Sequence, residues 1–142
     1  MKFFNTALLS AAAVSGFEVY EVKDFTASCV PHSTFCNYEF KVIQSGTMEN
    51  WKTPVHCSAH VQSKNYLLPD VEDADCKDSA RSFSIKRSKK GLKFTISEPV
   101  SVISDTVGEH FIPNKQLWQS KEPNAEIQVY KGPKDFKLKE IY

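Results

Sequence analysis

Residues 82–97 read Ser-Phe-Ser-Ile-Lys-Arg-Ser-Lys-Lys-Gly-Leu-Lys-Phe-Thr-Ile-Ser. Two alternating runs flank a polar tetrapeptide, Ser88-Lys89-Lys90-Gly91. Period-two spacing puts Phe83 and Ile85 on one face and Ser84 and Lys86 on the other. Leu92, Phe94 and Ile96 separate from Lys93, Thr95 and Ser97 in the same way. Joined by a glycine-bearing turn, the runs predict a β-hairpin with one buried face. Working outward, the same period recurs. Cys36, Tyr38, Phe40 and Val42 alternate with Asn37, Glu39, Lys41 and Ile43. Val55, Cys57, Ala59 and Val61 alternate with His56, Ser58, His60 and Gln62. Shorter pieces follow the pattern at Val100 and Val102, Ile127 and Val129, and Phe136 and Leu138. A first strand is expected over 17–27, from Phe17 through Val22 and Phe25. Ser45-Gly46-Thr47 and Gly132-Pro133-Lys134-Asp135 supply further turns. No stretch beyond residue 16 sustains the 3.6 period of an amphipathic helix. The expected fold is all-β: a compact single-domain antiparallel β-barrel or sandwich stapled by two disulfides.

Composition agrees with one globular domain. Of 142 residues, 10 are Phe, 5 Tyr and 2 Trp, enough aromatic surface to offset chain entropy and exclude a disordered chain. Only 5 are Gly, which excludes a collagen-like repeat. The formal net charge of +1 gives no global signal for nucleic acid or an anionic membrane.

Residues 1–16 place Lys2 before an apolar run from Phe3 that ends in small residues. This is the pattern of a secretory signal peptide, with cleavage between Ala13 and Phe17, and the alternative is a short buried helix. The run is too short to span a bilayer. The expectation is a soluble, secreted, extracellular domain over 17–142 without a membrane anchor. No Asn-x-Ser/Thr sequon occurs, so N-glycosylation is not expected.

Cys29, Cys36, Cys57 and Cys76 all lie beyond that leader. In a secreted chain four cysteines read as two disulfides with three possible pairings, of which the sequential one is expected. A zinc site is the competing reading, but there is no Cys-x2-Cys pair and His56 and His60 lack finger spacing.

Several constellations carry possible chemistry. Arg81, Lys86, Arg87, Lys89, Lys90 and Lys93 gather around one hairpin and could meet phosphate, acidic polysaccharide or an acidic protein. A charged tip also blocks edge-to-edge pairing. Asp70, Glu72, Asp73 and Asp75 form an acidic loop without EF-hand spacing, so no metal is assigned. His56 and His60 share a strand face with Ser58. Glu39, His56, His60 and Arg81 are the raw materials of a ribonuclease-like acid–base site, and no hydrolase or phosphate-loop motif accompanies them. Trp51, Trp118, Tyr66 and Tyr130 could line a cavity for a small apolar, flavonoid-type ligand, or fill the core.

The leader, Cys57-Ser58-Ala59 at the opening of a disulfide loop, and the turn Gly132-Pro133-Lys134-Asp135-Phe136 resemble the fungal family typified by the Alternaria major allergen (Alt a 1-like). The run Asp24-Phe25-Thr26-Ala27-Ser28-Cys29-Val30-Pro31-His32-Ser33 through Cys36-Asn37-Tyr38-Glu39-Phe40 is similar to the N-terminal hairpin of such proteins. The resemblance implies a compact antiparallel β-barrel, with Cys57–Cys76 as the family's central disulfide. It implies allergens and proteins that trigger plant defence, without an established enzymatic activity. The chain departs from the family at Leu138, where a cysteine is expected, and Cys29–Cys36 takes the second pairing. The family's allergen dimerises through an N-terminal cysteine. Two internal bridges leave none for that, so a monomer or non-covalent dimer is expected.

The functional expectation is a secreted, non-enzymatic, effector- or elicitor-like protein. It would need no cofactor and would bind a host extracellular protein or small molecule, not nucleic acid or membrane. The contact surfaces expected are Lys86, Arg87, Lys89, Lys90 and Lys93 on the hairpin, and Asp70, Glu72, Asp73 and Asp75 beside it. A small-ligand barrel and a secreted ribonuclease are the alternatives.

Overall fold

The computed structural model of the chain describes residues 14–120, 122 and 126–141. Ten strands follow one another: β1 (Val14–Cys29), β2 (Phe35–Gln44), β3 (Val55–Gln62), β4 (Val71–Asp75), β5 (Ser82–Arg87), β6 (Gly91–Ser101), β7 (Ser104–Pro113), β8 (Leu117–Gln119), β9 (Gln128–Tyr130) and β10 (Phe136–Ile141). A 3-10 turn, Asn114–Gln116, links β7 to β8. All named pairings are antiparallel, in the order β3-β2-β1-β10-β7-β6-β5-β4, with β9 joining β1 and β8 joining β9. Residues 1–13 of the expected leader lie outside the described residues. Val14 already belongs to β1, opposite Ile141.

The strands β3 and β4 stand at the two ends of that order, and they meet at a short seam where Lys77 N–H also donates to His56 O at 2.8 Å. Cys57 and Cys76 form an isolated antiparallel bridge and the disulfide that crosses it. The seam of the barrel is therefore closed covalently where a backbone ladder would otherwise run. Cys29–Cys36 ties β1 to β2 beside their turn, and all four cysteines are used.

The alternating residues of the hairpin and of β2 point inward as their spacing predicts. Tyr38, Phe40, Val42, Phe83, Ile85, Leu92, Phe94 and Ile96 are all buried. Phe25, Phe40, Phe83, Phe94 and Phe136 form the centre, with ring pairs such as Phe40–Phe83 at 4.9 Å and Phe25–Phe94 at 5.4 Å. The edge-to-face pairs, Phe40–Phe83 among them, add to their area burial. Tyr20 and Tyr38 reach the core's margin, and each hydroxyl donates to a carbonyl, of Thr106 and Pro69 respectively. Burial raises both phenols well above the usual tyrosine range.

Three expectations change. The first strand runs on to Cys29, and a bulge at Asp24 (φ 57°) shifts its phase. Before the bulge Tyr20 and Val22 face inward; after it Phe25, Ala27 and Cys29 do. Val102 does not continue an alternating strand: it sits with Ile103 in the tight β6–β7 turn, fully exposed. In β9 the buried residues are Gln128 and Tyr130, not Ile127 and Val129. Strand β7 itself gives no alternating signal, because its inward positions hold Gly108, His110 and Ile112. A Cβ on Gly108 would lie 2.7–3.0 Å from Val19, Tyr20 and Leu138, so only glycine fits there. His110 stacks on Phe136 at 4.0 Å, and burial lowers its pKa.

Candidate functional site

The antiparallel order sorts the connections between the two ends of the barrel. One end carries the β1–β2 turn at 30–34, the β3–β4 loop at 63–70, the β5–β6 turn at 88–90, and the 3-10 turn after β7. The opposite end carries the 45–54 loop, the 76–81 connection and the β6–β7 turn. The expected hairpin tip therefore shares its end with three other connections.

The hairpin is built as its sequence dictates. Ser88 N–H donates to the Gly91 carbonyl at 2.8 Å. A Cβ on Gly91 would run into the Ile112 carbonyl, so a bare α-carbon is required. Asn114 fastens the tip from the side: its backbone N–H donates to Lys90 O at 3.0 Å and its amide to Lys89 O at 2.7 Å. This contact also brings Lys115 beside Lys89 and Lys90. All three are exposed and enter no ion pair among the described residues. Lys86 and Lys93 are opposite each other in register on the outer face. Like charges so placed repel; Lys93 is relieved by Glu109 at 3.7 Å, and Lys86 has no ion-pair partner among the described residues. Lys115 carries no pattern that marks it from sequence, since only the turn after β7 delivers it to the tip.

Other expected residues are spent inside the molecule. Arg87 turns its guanidinium onto the Leu68 carbonyl at 2.8 Å and Gln128 Oε1 at 2.6 Å, while its backbone N–H donates to Asp70 Oδ1. It bolts the 63–70 loop to β9. The acidic segment is not a loop: Val71–Asp75 is strand β4, paired with β5 on one side. Asp73 (φ 45°) occupies its bulge and accepts from Ser84 Oγ, while Glu72 and Asp75 remain exposed. Arg81 does not join the basic cluster. It lies at the opposite end, 2% exposed, bonded to Glu98 at 2.9 Å and to Glu49, and it lies over the Tyr20 ring.

That position removes the phosphate clamp from the ribonuclease reading. Glu39, Lys41, His56 and Ser58 do share a shallow cleft of about 230 Å³ on the outer face of β2 and β3, where Lys41 pairs with Asp24 at 3.2 Å. His60 is drawn away onto Asn37 and stacked on Phe35 at 4.5 Å. Among the described residues no three His, Cys, Asp or Glu side chains converge to hold a metal. The four aromatics suggested for a carrier cavity do not meet either. Trp51 lies under Lys23, Trp118 and Tyr66 are about half exposed, and only Tyr130 is buried, its phenol pushed up to about 12 by burial.

A second cleft on the hairpin's end of the barrel went unseen in the sequence. It has a volume of about 510 Å³ and is lined by His32, Ser33, Thr34, Tyr66 and Glu126. His32 and Tyr66 both hold φ 62°, a left-handed conformation that no sequence pattern here announces.

Comparison with solved structures finds the same architecture in the major allergen Alt a 1 of Alternaria alternata. The match has a TM-score of 0.54 and 19% identity, and it covers 89% of this chain and 96% of the allergen. No protein-family model and no curated protein matches the sequence. The likeness is therefore one of fold: an allergen-type antiparallel barrel, nearly closed and held by two disulfides.

Proposed function

Given the fold it shares with the Alternaria alternata allergen, we propose that the protein is a secreted, non-enzymatic recognition module. It acts outside the cell on a host component, in the manner of an effector or elicitor. Two disulfides suit an oxidising compartment. The observation that carries the reading is the lysine-rich tip: Lys86, Lys89, Lys90 and Lys115, without an ion pair among the described residues, on a hairpin held from the side by Asn114. Positive charges presented on a preorganised turn attract an acidic surface and speed encounter with it.

The test is infiltration of purified, oxidised protein into leaf tissue, scoring cell death and oxidative burst. Reduced, unfolded protein and the double variant Lys89→Glu/Lys90→Glu serve as comparators. A response to the folded protein that the double variant loses, with an unchanged melting temperature, supports recognition through the tip. A response retained by the double variant removes the tip as the contact surface, and silence across several plant species removes the elicitor role.

A further inference from the structure

We propose that the cleft lined by His32, Ser33, Thr34, Tyr66 and Glu126 is a binding site for a neutral oligosaccharide, a function separate from that of the lysine tip.

Three observations carry this. The first is shape and lining. At about 510 Å³ the cleft falls within the ordinary range for small-ligand sites, roughly 300–1,000 Å³. Its side chains are hydroxyls, an imidazole and a carboxylate around one half-exposed aromatic ring, Tyr66 at 48%. A pyranose has the complementary make-up, an apolar C–H face edged by hydroxyls. Tyr66 offers a flat apolar surface with a polar tip for that face. Glu126 can only accept hydrogen bonds, whereas Ser33, Thr34 and His32 can both donate and accept, which suits hydroxyl groups that do both. Among the described residues the lining carries no lysine or arginine, so nothing there selects an anion. The lining is too polar for a lipid tail.

The second observation is preorganisation. The β1–β2 turn is closed by Cys29–Cys36 and by Val30 N–H donating to Phe35 O at 2.9 Å, with Ser33 Oγ accepting from Phe35 N–H. Facing it, the 63–68 loop winds around Ser63. Ser63 Oγ donates to Leu67 O at 2.6 Å, and Asn65 Oδ1 accepts from Leu67 N–H. Ser63 N–H donates to Thr34 O at 2.6 Å and joins the two walls. A ligand entering this cleft meets side chains on backbone already fixed, which reduces the ordering cost that weakens binding of flexible polar ligands.

The third observation is strain aimed at one place. His32 and Tyr66, the two cleft residues at φ 62°, stand on opposite walls. Left-handed backbone at a histidine and a tyrosine is costly and persists where the surroundings over-determine it. In the 63–68 loop the Ser63–Asn65–Leu67 bonds hold Tyr66 there with its ring in solvent.

The experiment titrates the oxidised, full-length protein, isotopically labelled for amide NMR, with cello-, xylo-, laminari- and chito-oligosaccharides at up to millimolar concentration. Shifts confined to residues 32–34, 63–67 and Glu126 are expected with at least one member of the panel. Tyr66→Phe keeps the ring and is expected to keep binding, while Tyr66→Asn is expected to weaken it by about tenfold or more, the loss of one stacking contact. Asparagine tolerates the left-handed conformation, so this variant keeps the fold. No shift with any member overturns the proposal, as does binding that Tyr66→Asn leaves intact. The titration is independent of any leaf response, so its failure leaves the elicitor reading standing, and the reverse also holds.

Discussion

Arg81 is the residue whose role changed most between sequence and structure. Its neighbours in the chain mark it as one more surface cation, yet it is buried between Glu49 from the 45–54 loop and Glu98 from β6. The Arg81 hydrogen bond, the largest influence on Glu49, holds that carboxyl below the usual range. A carboxyl depressed in the folded state contributes stability above its unfolded pKa and loses it as pH falls through the folded value. Replacing Arg81 with Ala leaves two carboxylates facing a desolvated gap, and is expected to cost about 2–4 kcal/mol in urea unfolding at pH 7. This is below the cost of a fully buried pair because both glutamates keep some contact with water. The variant is also expected to lose less stability on acidification than the parent, because Glu49 titrates without its partner. A parallel pH profile for parent and variant would contradict the assignment.

At the scale of the element, β7 shows how a strand can hide. Its neighbours β6 and β10 announce themselves through Leu92, Phe94 and Ile96, and through Phe136 and Leu138. In β7 the inward sites are Gly108, His110 and Ile112, only the last of them a large aliphatic residue, while Phe111 is turned outward. Gly108 is empty because Tyr20 and Leu138 occupy the space its side chain would need. Gly108→Ala is therefore expected to destabilise by about 1–3 kcal/mol through overpacking, despite alanine's better strand propensity. A neutral or higher melting temperature would show that β1 and β10 give way easily. The bulge at Asp24 is the converse case. There the alternation is present on both sides, but in opposite phase, and only the left-handed residue between them reconciles the two halves.

The molecule as a whole is a barrel whose seam carries no continuous ladder and is crossed by one disulfide. By chain entropy Cys57–Cys76 is worth about 3.3 kcal/mol and Cys29–Cys36 about 2.5 kcal/mol, a small difference. Position separates them further. Cys29–Cys36 reinforces a hairpin already in register, whereas Cys57–Cys76 joins strands that otherwise have no ladder between them. Cys57→Ser/Cys76→Ser is expected to lower the melting temperature by roughly 10 °C. Faster amide exchange should spread along both β3 and β4. The Cys29→Ser/Cys36→Ser pair is expected to loosen only the 29–36 turn. Equal exchange patterns for the two variants would mean that side-chain packing, not the disulfide, holds the seam.

Legible in the chain alone were the class of fold, the 82–97 hairpin and the aromatic core, while the cysteines allowed three pairings of which the structure has the sequential one. Those first three rest on local alternation, turn chemistry or spacing, which a chain carries wherever it folds. Tertiary structure decided the rest: the seam between β3 and β4, the burial of Arg81, the delivery of Lys115 to the lysine tip, and the Tyr66 cleft. Those depend on which distant segments meet. Arg81 finds Glu49 across 32 positions of chain, and Arg87 finds Gln128 across 41. No local period encodes such partnerships. They follow from the strand order, which sets the end of the barrel where each connection emerges and whether a charge there meets a counter-charge or faces solvent.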